Sequence, residues 1–410
     1  MANITANMDV VSKEAQFVFE STCLTYKTFN TQYDKSYEGY GAAAGDAINI
    51  KQVHRQYVTD GRSAAGTQDD EERTIALPRA TWKKIVLGFN AQELAQDLTK
   101  EENASKFFGK ARFDSSVQAM SAVIDSTTFA NVAPQVYNYT RGGETTDPSS
   151  YSDVGDAKAK LDDYHAMPNE RCFILTNSAM NTLNSGLSGL FNNAQKVSEN
   201  FNNGELAPFN GFMFYNSTNL PRVTNGSAAA GAVKTTLAVE KVSEMVVDGL
   251  STDTIVIGDR FTVAGVYRRD YVSKEVKGDL QDFVVTAASA TVTGEATISF
   301  SPAIETLATN AYATVDSFPQ ATAVVTFAGV RGASQSINMA YHKDAFVLAF
   351  VDLPKIGVTS ESYVRDADAG YSMKISGQGD ILELKSVFRM DALFGSVAVN
   401  PWWATIVYGA

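Results

Sequence analysis

Residues 258–286 read GDRFTVAGVYRRDYVSKEVKGDLQDFVVT. The segment is a turn, an alternating strand, a charged loop and a second alternating strand. Phe261, Val263 and, after Gly265, Val266 are apolar, with polar or small residues between them. Leu280, Phe283 and Val285 recur on the return. This is the pattern of a half-buried antiparallel pair. From Arg222 to Ile337 Thr, Val, Ala and Gly dominate, and Ala296 to Ser301 and Thr322 to Phe327 add strands. The stretch between Ser301 and Thr322 has little strand character. Short strands separated by turn signals predict a small barrel or sandwich. Its flanks read as a mixed α/β body, so the β-module is an insertion.

Working outward, the preceding chain is organised around a helix. Between Asn90 and Pro134 helix formers dominate; Leu94 and Leu98 sit four apart, and Phe107, Phe108, Ala111, Val117, Met120 and Ile124 recur at helical spacing. A short helix and a long one of roughly seven turns are predicted, the long one a spine across a domain. Residues 136–152 read as a loop, followed by a helix over Asp153 to Ala166 and a short buried strand, Arg171 to Leu175. Asn177 is placed to cap a helix over Ser178 to Leu183. Gly211 to Asn216 forms another strand. After the insertion, Ala345 to Val351 reads as a buried strand, and Tyr371 to Ile375 and Ile381 to Met390 alternate. Trp402 and Trp403 near the end read as core anchors in preference to interface ones.

The N-terminal part is less regular. Met1 to Asn30 reads as a short helix and an extended arm, either a loose terminus or an arm that docks on a neighbour. Thr31 to Pro78 is polar and rich in Gly and Ala; Ala47 to Val53 can pair with Arg73 to Leu77 as a two-stranded excursion. Near its tip lies an acidic run, Asp69, Asp70, Glu71 and Glu72. That run is either a solvated face or a tip seeking a basic partner on another subunit. Lys83 and Lys84, after Trp82, are either a solvated pair or the receivers of that tip.

With 410 residues the chain can form two or three domains. Hydrophobic residues make up 44% and charged residues 20%, the balance of a folded globular protein. The net charge of −12 argues against a dedicated nucleic-acid binder, which carries a basic excess. Cys23 and Cys172 lack metal-type spacing and read as free thiols of a reducing compartment. The start of the chain lacks the basic-then-apolar pattern of a signal peptide, and the apolar runs are too short to cross a bilayer.

No catalytic or cofactor constellation is recognisable. His54, His165 and His342 have no ligand-type neighbours, and each reads as a surface or hydrogen-bonded side chain. No nucleophile elbow, P-loop or dinucleotide fingerprint occurs. Asp366, Asp368 and Asp380 lack the spacing and distal Glu of a calcium loop. The expected catalytic, cofactor and metal sites are therefore none, and the contact residues expected are Asp69, Asp70, Glu71, Glu72, Lys83 and Lys84.

Several stretches together resemble the major capsid proteins of tailed bacteriophages, in particular P22-type coat proteins. They are Gly258 to Val266 followed by Leu280 to Val285, Phe173 to Leu175 before Asn177, Gly211–Phe212 through Leu220–Pro221, and Arg389 to Gly395. The order of parts also matches over nearly the whole chain. The resemblance implies an α+β fold of the HK97 type with an inserted small β-barrel-like domain. Its parts would be an N-terminal arm (1–30), an extended loop overlapping a neighbour (31–80), a peripheral domain with a spine helix over Asn103 to Ala133 (81–170), an axial domain (171–221), the insertion (222–340) and axial and return strands (341–410). The implied function is self-assembly into pentamers and hexamers of an icosahedral shell. Implied partners are a scaffolding protein, a portal, a decoration protein and packaged double-stranded DNA held weakly, with no membrane and no enzymatic activity. Two rivals stand beside it: a secreted β-rich surface or adhesive protein, disfavoured by the lack of a signal peptide, and an enzyme of unidentified type.

Overall fold

The computed structural model describes residues 15–31, 48–56, 58, 73–77, 81–90, 113–187, 206, 208–250, 253–288, 291, 294–307, 310–351, 353, 360–366, 371–380 and 385–410. The chain divides into two compact units. One comprises Met1–Ile50, Ile75–Phe129 and Phe346–Val397; the other comprises Lys51–Thr74, Ala130–Ala345 and Ala398–Ala410.

In the first unit, a five-stranded antiparallel sheet is ordered Phe346–Phe350, Lys385–Ala398, Tyr371–Asp380, Ser360–Asp366, with Thr81–Asn90 pairing along Lys385–Ala398. Period-two alternation puts Tyr371, Met373 and Ile375 on one face with Met390, Ala392 and Phe394, and all six are buried. The spine helix runs over Phe113–Val132. Val117, Met120 and Ile124 form its buried stripe, as the spacing predicts. The predicted helix around Leu94 and Leu98, and the start of the spine before Phe113, lie outside the described residues.

The described part of the arm is neither loose nor extended away from the subunit. Residues 15–22 and Leu24–Thr28 are helical, and Phe19, Cys23 and Phe29 are fully buried in their own unit. Phe19 lies 5.0 Å from Tyr371, and Phe29 lies 4.9 Å from Phe346, ring centre to ring centre. Asp125 of the spine helix accepts from Leu24 N–H (3.0 Å), Thr25 N–H (2.9 Å) and Thr25 Oγ1 (2.6 Å), so it caps the short helix from a distant part of the sequence. Burial, then the Asp125 charge, raises the Cys23 thiol, which donates to the same carboxylate.

The second unit carries a six-stranded sheet, ordered Tyr139–Thr140, Ala404–Tyr408, Ser334–His342, Arg171–Leu175, Met213–Asn216, with Arg222–Thr224 also pairing on Ser334–His342. Arg171–Leu175 is buried at every position, as the apolar run Cys172 to Leu175 predicts, and Arg171 is satisfied by the Met167 and Ala166 carbonyls. The helix Tyr151–Asp163 is capped by Ser150 and Asp153 in a capping box. The next helix, Asn177–Leu187, begins one residue before the predicted start. Its cap is Thr176, whose Oγ1 accepts from Ala179 N–H at 3.2 Å, and Asn177 lies inside the first turn.

The insertion is a closed antiparallel barrel of six strands, in spatial order Arg260–Arg269, Val276–Ala288, Ala296–Ile304, Val242–Asp248, Ala230–Val233, Val324–Phe327. Its core joins Phe261, Val263, Val266, Phe283, Val285, Phe300 and Phe327. Phe261 and Phe283 stack at 5.4 Å, and Phe300 meets both edge-on. Burying each phenyl contributes about 2–3 kcal/mol. Gly265, at φ +81, marks the register shift against Val276–Ala288, which explains why the inward set moves from Phe261 and Val263 to Val266. The strandless stretch after Ile304 does not interrupt closure, because Val324–Phe327 pairs with both of its neighbours. One boundary differs from expectation. Ser334–His342, mostly assigned to the insertion by the 222–340 reading, is a central strand of the six-stranded sheet. Pairing of Ser334, Gln335 and Ser336 with Thr224, Val223 and Arg222 makes the neck.

Candidate functional site

The hairpin at 258–286 is more than half-buried. Gln281 through Val285 are all buried, so that part of the strand is covered on both faces. The inner face fills the barrel and the outer face meets the α/β body of the same unit. The joint is polar. Arg260 is fully buried and donates to Ala133 O (2.7 Å), Val136 O (2.9 Å), Gly258 O (3.3 Å) and the Tyr408 hydroxyl (3.2 Å). Ala133 and Val136 follow directly on Phe113–Val132, and the C-terminal end of a helix favours a cation. Asp259, also buried, accepts from Gly226 and Val256 N–H and pairs with Arg331 at 3.2 Å, tying the hairpin to both chains of the neck.

Along the outer face, Lys160 of the helix Tyr151–Asp163 meets Asp282 at 2.7 Å. Burial raises the Asp282 carboxyl, and Lys160 opposes that shift. Gln281 donates to the Tyr164 hydroxyl at 3.1 Å, and Trp403 Nε1 donates to the Tyr164 carbonyl at 3.2 Å. Arg268 reaches Asp163 O (3.0 Å) and Asp279 (2.7 Å). At the hairpin tip, Asp270 lies 2.8 Å from His165 and accepts from Ser273 Oγ at 2.7 Å. Burial would raise Asp270, but the bonds from Ser273, His165 and the Val272 and Ser273 N–H groups outweigh it and hold the carboxyl at about 2.

At the neck, Asn225 donates to Val330 O and Gln335 Oε1, both at 3.0 Å, while Gln335 donates to Glu144 O (2.9 Å) and Gly409 O (3.1 Å). Gly329 sits against this network at φ +86, and a Cβ there would fall 2.5 Å from Asn225 Nδ2.

Of the six contact residues expected from sequence, Asp69, Asp70, Glu71 and Glu72 lie outside the described residues. Lys83 and Lys84 lie on Thr81–Asn90, where neighbours point to opposite faces. Lys83 is half-buried on the side of Ile85. Lys84 is exposed on the side of Trp82 and Val86, opposite Asp391 in register. Asp391 accepts from Trp82 Nε1 (2.8 Å) and Arg389 Nε (2.7 Å), and among the described residues Lys84 forms no ion pair. The two lysines therefore do not present one patch. His54 is exposed, His165 belongs to the joint, and His342 is buried and accepts from Asp344 N–H at 3.2 Å. Both cysteines are buried and unpaired, with burial pushing Cys172 up to about 12. Among the described residues no group of three His, Cys, Asp or Glu is placed to hold a metal, and no helix is long and apolar enough to cross a membrane.

Sequence reasoning missed Arg260, Gln281, Asp282 and Tyr164. One signal was available: an Arg beside the turn glycine, followed on the return strand by Gln–Asp amid apolar residues. Outward-pointing polar groups on a strand read by default as solvated.

A barrel held on a two-chain neck and bolted to its parent body by buried charges fits the inserted-domain organisation of the shell-forming class that the sequence resembles. The family comparison agrees. Residues 90–407 match the family described as P22 coat protein, gene protein 5, and the chain belongs to that family. It is a major capsid protein, a component of the phage virion. Among solved structures, the chain is similar to one from Mycobacterium phage Che8, with 11% identity and a TM-score of 0.44 over 94% of this chain and 90% of that one. It is similar to the capsid structure of the cyanophage P-SCSP1u, with 9% identity and a TM-score of 0.41 over 93% and 89%. The CUS-3 coat protein I-domain matches with 25% identity and a TM-score of 0.19 over 25% of this chain and 96% of that one. No curated protein sequence matches. None of these comparisons supports the secreted surface-protein reading.

Proposed function

We propose that copies of this chain assemble into pentamers and hexamers that close an icosahedral shell around the phage double-stranded DNA genome. The observation that carries this reading is the coat-protein match over residues 90–407. The chain acts by assembly and catalyses no reaction. A scaffolding protein directs closure in the host cytoplasm, a portal occupies one vertex, and a decoration protein can bind the outside. With a net charge of −12 the shell encloses DNA without gripping it, and contacts are weak and salt-screened.

The acidic run Asp69 to Glu72 docks on a neighbouring subunit, with Lys84 as its exposed receiver and Lys83 in support. One such pair contributes only about 0–1 kcal/mol; repetition at every interface makes it count. Electron microscopy of the purified protein, with and without its scaffold, tests the shell reading: closed shells are expected, and persistently monomeric protein would sink it. Serines at 69–72, or Lys84→Glu, should weaken assembly while leaving the subunit's thermal melt unchanged. Normal shell yield at physiological salt would leave the acidic run a solvated face.

A further inference from the structure

Two arginines join the roots of the excursion to the insertion. Residues 51–56 and 73–74 belong to the second unit and flank residues 57–72 as the two roots of that loop; they are bonded to each other, Gln52 N–H donating to Arg73 O at 2.8 Å. Each root carries one arginine laid against aromatic rings. The Arg55 guanidinium lies 4.0 Å from the Trp402 ring centre, 5.1 Å from Tyr271 and 5.7 Å from Tyr312. That of Arg73 lies 3.8 Å over Tyr312, and its Nη2 meets Glu305 at 2.5 Å. Tyr271 belongs to the tip of the 258–286 hairpin, and Glu305 and Tyr312 to the strandless stretch of the insertion. Trp402 belongs to the C-terminal segment, to which the first root is also tied: Gln52 Nε2 donates to Val399 O at 2.7 Å.

Arg55 is only 8% exposed, its Nε has no hydrogen-bond partner, and among the described residues no carboxylate pairs with it. Taking a guanidinium out of water without a counter-charge is costly, and ring faces offset part of that cost. A flat guanidinium can stack on several rings at once, as an aliphatic side chain or an ammonium cannot. The position therefore makes physical sense as a contact between segments, and poor sense as core filling.

We propose that Arg55 and Arg73 form a latch through which the insertion and the C-terminal segment grip both roots of the excursion. The insertion then determines how firmly the two segments that flank residues 57–72 are held. The proposal concerns a single subunit and does not rest on the shell reading.

Hydrogen exchange on the full-length, unassembled subunit tests it. In Arg55→Ala, amides of residues 52–56 and 73–77 should exchange about 10-fold faster or more, while the barrel strand 260–269 keeps wild-type protection. Arg55→Lys keeps the charge, loses the flat stack, and should recover only part of the protection. Arg73→Ala should loosen the same two segments, and the double variant should be little worse than either single one, because the two residues share one latch. Unchanged exchange at the roots of Arg55→Ala overturns the proposal. So does equal loosening of 260–269, which would make Arg55 a packing residue, and so does simple additivity of the two arginine variants. Should Arg55→Ala fail to yield soluble protein, Tyr312→Leu, read by the same exchange pattern, decides between the same outcomes.

Discussion

Replacing Arg260 with alanine removes the pin between the barrel and residues 133–136 of the same unit. The side chain is fully buried and makes four hydrogen bonds, two of them short, to Ala133 O at 2.7 Å and Val136 O at 2.9 Å. A bond from a charged donor is worth about 1.5–3 kcal/mol, and a buried carbonyl left without a donor costs about 1–3 kcal/mol, which applies to Val136 O because Ala133 O keeps the Val136 N–H at 3.4 Å. The longer bonds to Gly258 O (3.3 Å) and the Tyr408 hydroxyl (3.2 Å) add roughly 0.5 kcal/mol each. Against this stands relief from burying a charge, together with whatever water enters the cavity. The net loss expected is about 4 kcal/mol, a large share of the roughly 5–15 kcal/mol that holds a protein folded. With a urea dependence of roughly 3 kcal/mol per molar, the midpoint should fall by about 1.3 M. Trp402 and Trp403, both buried in this unit, provide the fluorescence signal. Arg260→Lys can reach one of the two short acceptors and should lose about half as much. A fall of less than about 0.3 M for the alanine variant would refute the reasoning, since it would mean that water or relaxed neighbours satisfy those carbonyls at little cost.

Further predictions rest on single contacts. Asp125→Ala removes the cap of Leu24–Thr28 and should cost about 2 kcal/mol, with faster proteolysis near residues 23–28 and an unchanged barrel. Gly329→Ala forces a Cβ towards Asn225 Nδ2 and strains φ +86, which should cost about 2 kcal/mol or more in thermal melts. Asp270 has a folded-state pKa lowered from 3.8 to about 2, so its contribution is complete above pH 4 and is lost as pH falls through 2. Asp270→Asn should therefore lower the urea midpoint at pH 5, and the difference from wild type should shrink towards pH 2. A difference independent of pH would assign the effect to packing.

Period-two alternation is a local property, and it made the hairpin at 258–286 readable. Even the bulge shows in the sequence as a slip in the apolar phase at Gly265. The continuous apolar run at 172–175 likewise announced a strand buried on both faces, and the order of parts carried the resemblance to coat proteins. The arm was harder. Phe19 and Phe29 are ordinary apolar residues in a polar context, and their burial depends on Tyr371 and Phe346, far away in the chain. Lys83 and Lys84 are neighbours in sequence, but on a strand neighbours point to opposite faces, so they do not act as a pair.

Side-chain period says which residues share a face, and it says nothing of what that face meets. The sequence alone therefore determined that an inserted β-module exists, most of the apolar residues with which the hairpin lines it (Leu280 stays outside the core), and which family the chain belongs to. The tertiary structure decided that the outer face of the module is a joint. Arg260 finds its acceptors at Ala133, Val136 and Tyr408, and Asp282 finds Lys160, in each case more than a hundred residues away in the chain. The free energy of a buried charge depends on partners that only folding brings within 3 Å, so the same arginine that reads as solvated in the sequence is, in the folded chain, the pin that holds the insertion to its body.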